Sequence, residues 1–354
     1  MTAPRRAPGP AALAWEGGPD GCLLLLDQRR LPAEEHVLAV ADVATLCEAI
    51  RSLAVRGAPA LGVAAGYGAV LAARGAEGDA GLAAGLATLR AARPTAVNLF
   101  TMLDRQAAVA RSALAEGRPW PALAERLLDE ARRIHDEDRA LCAAIGRHGA
   151  ALLEDGMRVL THCNTGRLAT GGIGTALGVV LTATADGKRL RVYADETRPL
   201  LQGARLTMYE LAEAGVDGVL LGDSAAAGLI LSGGVDVVLV GADRIARNGD
   251  TANKVGTLAL ALAAGRAGVP FYVAAPTTSF DPALATGAGI PIEERSPDEV
   301  LDPLRPGLVP PGTEAWNPAF DVTPGDLVTG FVTERGVFRD PGAAGIKAPA
   351  GPRR

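Results

Sequence analysis

Apolar residues keep two different rhythms along this chain, and the change falls near Leu152. Ahead of it the pattern is short strands and then helices. The run Cys22–Leu26, broken by Asp27, Gln28, Arg29 and Arg30, predicts a strand, and residues 36–40 predict a second, antiparallel to the first. Leu46, Ile50, Leu53 and Ala54 share one helix face. Gly57 permits unusual backbone angles and Pro59 suits a first helical turn, so another helix starts there. Helices are also predicted at 80–92, 97–115 and 121–152. In the last of these, Glu125, Arg126, Asp129, Glu130, Arg132 and Arg133 read as an exposed charged face, and His135 and His148 receive no role.

Behind Leu152 the chain alternates. Short, branched apolar runs at 158–162, 190–194, 218–221, 237–240 and 271–274 predict strands. Ala- and Leu-rich segments at 174–183, 203–214, 224–231 and 255–267 predict the helices that separate them. Such alternation gives a parallel sheet with helices on both faces. The expected organisation is a disordered start (1–12), an N-terminal domain of antiparallel strands and helices (13–152), an α/β domain (153–340) and a disordered tail (341–354). Residues 290–295 read as one extended piece, and 317–324 lead into a short final helix and strand. No internal repeat is visible.

The residues that follow the predicted strands carry the chemistry. The five strands run out into Thr161-His162-Cys163-Asn164-Thr165-Gly166, Asp195-Glu196-Thr197-Arg198-Pro199, Gly222-Asp223-Ser224, Gly241-Ala242-Asp243-Arg244 and Ala275-Pro276-Thr277-Thr278-Ser279. In open α/β sheets the ligand crevice lies off the carboxyl ends of the strands, so five polar ends on one edge predict a site. Asn253 and Lys254 are expected near the start of the following helix, where the dipole and the ammonium would both favour an anion. Asp243 would then face the reactive part of a small phosphorylated molecule; the competing reading pairs it with Arg244. Cys163, the lone cysteine on that edge, is placed for acid–base or electrostatic work. Gln202 opens the helix after the second strand. In the N-terminal domain, Arg56 stands at a junction of two helices and reads equally as an anion clamp or as a solvated turn residue. Arg93 is a second arginine just before a helix. The run Gly171-Gly172-Ile173-Gly174 is read as letting backbone amides approach a phosphate.

Composition narrows the choice. At 354 residues, 48% hydrophobic, the chain can bury a substantial core, and a net charge of −5 with scattered basic residues argues against a nucleic-acid partner. Four cysteines without CxxC spacing and four scattered histidines predict no metal site and no disulfide framework. Leu177 stands where the third glycine of a dinucleotide fingerprint should be, and no Walker A sequence is present, so no nicotinamide, flavin or ATP cofactor is expected. With no convincing signal peptide and no apolar span, the expectation is a soluble cytoplasmic protein.

The strings AVRGAPALG, THCNTG, YADETRPLLQGARLT, GADRIARNGDTANKVGT and IPIEER, in order between about Leu13 and Arg339, resemble the methylthioribose-1-phosphate isomerases of methionine salvage. The wider superfamily includes regulatory subunits of a translation-initiation guanine-exchange factor, which share the fold but not this motif set. The resemblance implies a small, largely helical N-terminal domain, a Rossmann-like C-terminal domain, a homodimer, and no metal or organic cofactor. It implies that Cys163 and Asp243 are catalytic. It places substrate contacts on Arg56, Gly57 and Ala58, on Arg93, on Gln202, and on Asn253 and Lys254. The implied reaction converts 5-methylthioribose 1-phosphate to 5-methylthioribulose 1-phosphate. Cys163 would be the base at C2 or would stabilise charge in a hydride shift. Two alternatives stand beside this: an isomerase of another 1-phosphorylated pentose, such as ribose 1,5-bisphosphate or 5-deoxyribose 1-phosphate, and a non-catalytic sugar-phosphate or nucleotide sensor.

Overall fold

A computed structural model describes residues 9–93, 96–117, 119–302 and 308–340; the expected disorder at 1–8 and 341–354 lies outside the described residues. The chain forms two compact units. Of the described residues, one unit holds 9–143 with Gly166–Gly174, and the other holds Ala144–Thr165 with the described part of 175–340. The cut thus falls before the Leu152 boundary expected from sequence, and a nine-residue segment from beyond that boundary returns to the N-terminal unit.

That unit opens with an antiparallel sheet of β1 (Leu13–Glu16), β2 (Cys22–Leu26) and β3 (Val37–Val40), in that order. β1 was not expected: four residues around Trp15 carry no clear alternation, and pairing with β2 (Leu13 opposite Leu25) fixes them as a strand. Helices α1 (Val43–Arg51), α2 (Ala58–Arg74), α3 (Asp79–Ala91), α4 (Val97–Ala115) and α5 (Trp120–Ala150) follow. Asp42 caps α1 through the Thr45 amide at 2.8 Å. α2 is apolar on every side and is buried on every side from Ala60 to Ala73, as an all-round hydrophobic helix must be. α4 lies along it in the same direction: Gly62 faces Asn98 and Met102, and Gly66 accepts a hydrogen bond from Gln106. The charged face expected on α5 is exposed at Glu125, Asp129, Arg132 and Arg133, and one member departs from it. Glu130 is buried between Arg105 and Arg133, and His135 is buried against Tyr67.

The C-terminal unit is built in chain order from β4 (Arg158–Thr161), α6 (Ala176–Ala185), β5 (Arg191–Asp195), a π-helical turn (Gly203–Thr207) running into α7 (Met208–Ala214), β6 (Asp217–Leu221), α8 (Ala226–Leu231), β7 (Val237–Val240), β8 (Arg244–Ala246), β9 (Thr251–Lys254), α9 (Thr257–Ala267), β10 (Phe271–Ala274), β11 (Phe280–Asp281), α10 (Asp298–Leu301), β12 (Phe320–Thr323), β13 (Gly330–Thr333) and β14 (Gly336–Phe338). Its main sheet has the order β14-β13-β10-β7-β4-β5-β6, parallel throughout except for β14 at the edge. The strands advance one way from β4 to β6 and the other way from β7 to β13, so the topological switch point lies between β4 and β7.

Both faces of this sheet are covered, which explains the unbroken apolar run of β7. Val238, Val240 and Val273 pack with Ile230, Leu260 and Ala264 of α8 and α9. Val237, Leu239 and Ala274 pack with Leu177, Val180 and Leu211 of α6 and α7 on the other face. A smaller sheet, β11-β8-β9-β12, stands beside the carboxyl end of β7. It corrects the sequence reading of Asn253 and Lys254, which end a strand and do not open a helix. β9 pairs with β8 and with β12, and Gly256, at φ 110°, turns the chain before α9 begins at Thr257. Among the described residues, no helix is long and apolar enough to cross a membrane.

Candidate active site

Cys163 lies two residues beyond β4 and Asp243 three beyond β7, so the two strands that flank the switch point deliver them to the edge where ligands bind in such sheets. Cys163 takes a left-handed backbone, φ 60°, a conformation that costs a residue with a side chain roughly 1–2 kcal/mol. It is held there from both sides: its N–H donates to Thr197 Oγ1 at 2.9 Å and its carbonyl accepts from Thr207 Oγ1 at 2.6 Å. The neighbouring Asn164 is buried and donates to Glu210 at 2.7 Å. Thr197 is itself left-handed, and its N–H is taken by Asp223 Oδ1 at 2.7 Å. A strained non-glycine backbone supported by this many bonds is a feature of functional sites.

Asp243 is half-buried, and its N–H donates to Ala252 O at 3.0 Å. The β8–β9 hairpin sets Arg244 opposite Ala252, so Asp243 and Asn253 are the chain neighbours of that pair. Arg244 pairs with Asp281 at 3.2 Å. Lys254 follows with only 6% of its surface exposed. Burial is the largest influence on its ammonium and pushes it below the ordinary lysine value, while Cys163, Glu299 and Asp243 pull it upward and Arg295 adds to the lowering. Lys254 therefore lies within electrostatic reach of both candidate catalytic residues. Gln202 is buried at the head of the π-helical turn, and its Oε1 has no hydrogen-bond partner among the described residues. Such turns are frequent at functional sites, and a buried carboxamide oxygen left open in this way suits a ligand donor. Gly203 must be glycine, because a Cβ there would collide with the Asp195 carbonyl.

The anion-attracting helix start proposed from sequence is already occupied. The Asp321 carboxylate accepts from Gly256 N–H at 2.7 Å and from Leu258 N–H at 3.2 Å at the N-terminus of α9. The glycine run is occupied too. Gly171 N–H donates to Asp138 Oδ2 at 2.6 Å, its carbonyl accepts from His135 Nε2 at 3.1 Å, and Gly172 N–H donates to Thr170 Oγ1 at 3.1 Å. These two amides serve the fold of the N-terminal unit and not an anion. A Cβ on Gly171 would lie 2.7 Å from the His135 ring, which accounts for the glycine.

Within the N-terminal unit, Arg56 is 8% exposed and its Nε donates to Gln28 Oε1 at 3.0 Å. Gln28 in turn donates to Leu168 O at 2.7 Å. Gly57 has φ 95°, and a Cβ there would lie 2.5 Å from Ala169 O, so the turn before Ala58 tolerates no side chain. Arg93 is half-buried just ahead of α4. Because α2 and α4 run the same way, Arg56 and Arg93 stand at the same end of that helix pair. Gln28 was read from sequence only as a strand breaker; its signal was an amide directly behind an apolar strand. Of metal-binding groupings, the described residues hold one cluster, His162, Asp195 and Asp223.

Residues 54–340 match the model of the initiation factor 2 subunit family. A methylthioribose-1-phosphate isomerase of Syntrophotalea carbinolica is 51% identical over 326 residues, 90% of this chain and 94% of the relative. A 5-deoxyribose 1-phosphate isomerase of Moorella thermoacetica is 51% identical over 339 residues, 94% of this chain and 95% of the relative. The crystal structure of 5-methylthioribose 1-phosphate isomerase from Pyrococcus horikoshii superposes with a TM-score of 0.84 at 40% identity, covering 94% of this chain and 93% of that one. The chain belongs to the initiation factor 2 subunit family, among the relatives named as methylthioribose-1-phosphate isomerases.

Proposed function

We propose that this chain is an aldose–ketose isomerase that converts 5-methylthioribose 1-phosphate to 5-methylthioribulose 1-phosphate in methionine salvage. The observation that carries the chemistry is the strand order, which sets Cys163 and Asp243 at the ends of the neighbouring strands β4 and β7, with the buried Lys254 on the adjoining β9. A thiol and a carboxyl at one switch point suit a sugar that must exchange protons.

The substrate sets the demands. Its anomeric carbon carries phosphate, so the ring cannot open by simple hemiacetal reversal. An acid must protonate the ring oxygen as the C1–O bond breaks, and hydrogen must then pass from C2 to C1. Asp243 is the acid in this reading and Cys163 serves the C2–C1 transfer. Lys254, Asn253 and Gln202 hold the sugar phosphate; within the N-terminal unit, Arg56, Gly57, Ala58 and Arg93 are the substrate contacts that the family resemblance implies. Charge-assisted bonds to phosphate are the strong ones, about 1.5–3 kcal/mol each. No metal or organic cofactor enters this scheme, and the working form is a homodimer.

A second reading takes 5-deoxyribose 1-phosphate as the substrate, as the name of the Moorella relative suggests. The two sugars differ only at C5. Purified protein assayed for ketose formation on a panel of 1-phosphorylated pentoses varied at C5 separates them. The proposal expects the methylthio sugar to give the highest kcat/KM. A preference of tenfold or more for the 5-deoxy sugar would favour the second reading, and no turnover of any member would refute both.

A further inference from the structure

His162 precedes Cys163 and has no part in the chemistry above. Its ring is buried, 1% exposed, with Nδ1 2.9 Å from Asp195 Oδ2 and Nε2 2.8 Å from the Val255 carbonyl. A carbonyl only accepts, so Nε2 carries a hydrogen. The contact between Nδ1 and Oδ2 holds another, on the ring or on the carboxyl. Val255 is the residue after Lys254. Next comes Gly256, where a Cβ would lie 2.7 Å from His162 Cε1, so the imidazole lies directly against the turn that follows β9.

The other side of the ring is fixed just as closely. Asp195 ends β5, and its backbone carbonyl accepts from Thr197 Oγ1 at 3.1 Å, the same hydroxyl that receives Cys163 N–H. Asp223, the third member of the cluster, accepts N–H groups from Thr197 and Arg198 at 2.7 Å each. Both His162 nitrogens, both Asp223 oxygens and one Asp195 oxygen are thus committed to hydrogen bonds, a pattern of a positioning network rather than an open metal site.

We infer that His162, oriented by Asp195, is a positioning residue that sets Lys254 in register with Cys163. One imidazole joins the strand end that becomes Cys163 to the carbonyl directly behind Lys254. The two nitrogens have separate tasks: Nδ1 fixes the ring on Asp195, and Nε2 anchors the turn that carries the lysine. This rests on the reading that Cys163 and Lys254 act on a phosphorylated sugar.

Two substitutions divide the tasks. In His162→Gln the side-chain amide reaches the Nε2 position and keeps the bond to Val255. In His162→Asn the amide sits at the Nδ1 position and keeps only the bond to Asp195. With 5-methylthioribose 1-phosphate as substrate, KM of the Asn variant is expected to rise about tenfold or more, the loss of one well-made hydrogen bond. KM of the Gln variant should stay within about threefold of the parent. A Lys254→Met variant is the control and should raise KM at least as far. Unchanged KM in His162→Asn beside a raised KM in Lys254→Met overturns the positioning role and leaves the substrate reading intact. Unchanged KM in Lys254→Met removes the premise, and the inference falls with it. Should His162→Asn fail to fold, His162→Gln alone decides, since a tenfold rise in KM with the Val255 bond available would contradict the assignment.

Discussion

At the scale of single residues, the structure adds partners that one sequence cannot show. Gln28 supports the buried Arg56 through its Oε1 and anchors itself on Leu168. Gln28→Leu removes that acceptor, and leaving a buried donor of a charged group unmet costs about 1–3 kcal/mol. We expect KM to rise by roughly one order of magnitude with kcat little changed, whereas an equal fall in kcat at constant KM would contradict a role in phosphate binding. Asp138 and His135, which hold the two ends of the Gly171 peptide, make an opposed pair. Burial pushes the Asp138 carboxyl up to about 6 and the His135 imidazole down to about 4. The stability that Asp138 contributes is therefore full below its unfolded value of 3.8 and is lost as pH rises through about 6. That of His135 is full above 6.5 and is lost as pH falls through about 4. On acidification from pH 6.5 to 4 the two largely cancel. Asp138→Asn removes the compensating gain, so over that range the variant should lose up to about 3 kcal/mol more than the parent. Urea melts at pH 7.5 and 4.5 measure this, and parallel losses in both proteins would refute it. The candidates Arg56, Cys163, Asp243 and Lys254 were legible because charged or reactive groups stood at predicted junctions. His162 and Gln28 were not, because their meaning lies in contacts 33 and 28 residues away in the chain.

At the scale of elements, periodicity identified what was long or strongly apolar. α4 was predicted over its full span, and β7 and β10 likewise, because burial on both faces leaves an unbroken apolar run. β8, β9 and β12 were missed for the converse reason. The β9 sequence Thr-Ala-Asn-Lys has no strand signature, and only its partners on both sides make it one. The same oversight extended α9 backwards and opened its N-terminus to an imagined anion. Asp321 fills that role, reaching from β12 to the first amides of the helix, so Asp321→Ala should cost about 1–2 kcal/mol of stability, within the range for lost N-caps. A chemical denaturation midpoint unchanged from the parent would show the cap to be dispensable.

At the scale of the whole molecule, alternating strands and helices were enough to predict an α/β unit with covered faces, but not the strand order that makes β4 and β7 neighbours. That order is set by tertiary pairing, and it is what assembles residues 163 and 243 at one switch point. It also orders events in time. β9, the strand carrying Asn253 and Lys254, is completed on its outer side by β12, with Phe320 opposite Lys254. A chain emerging from the ribosome thus presents its thiol and its carboxyl long before the strand that fastens its lysine has been made. A product ending at residue 316 keeps every residue proposed for the reaction, yet it should turn over substrate at least tenfold more slowly than the full chain, and supplying the missing segment in trans should restore part of the rate. Full activity in that truncated product would mean that β9 needs no outer partner. On this account, catalytic competence is a late milestone of biosynthesis, reached when the C-terminal segment closes over a lysine made long before it.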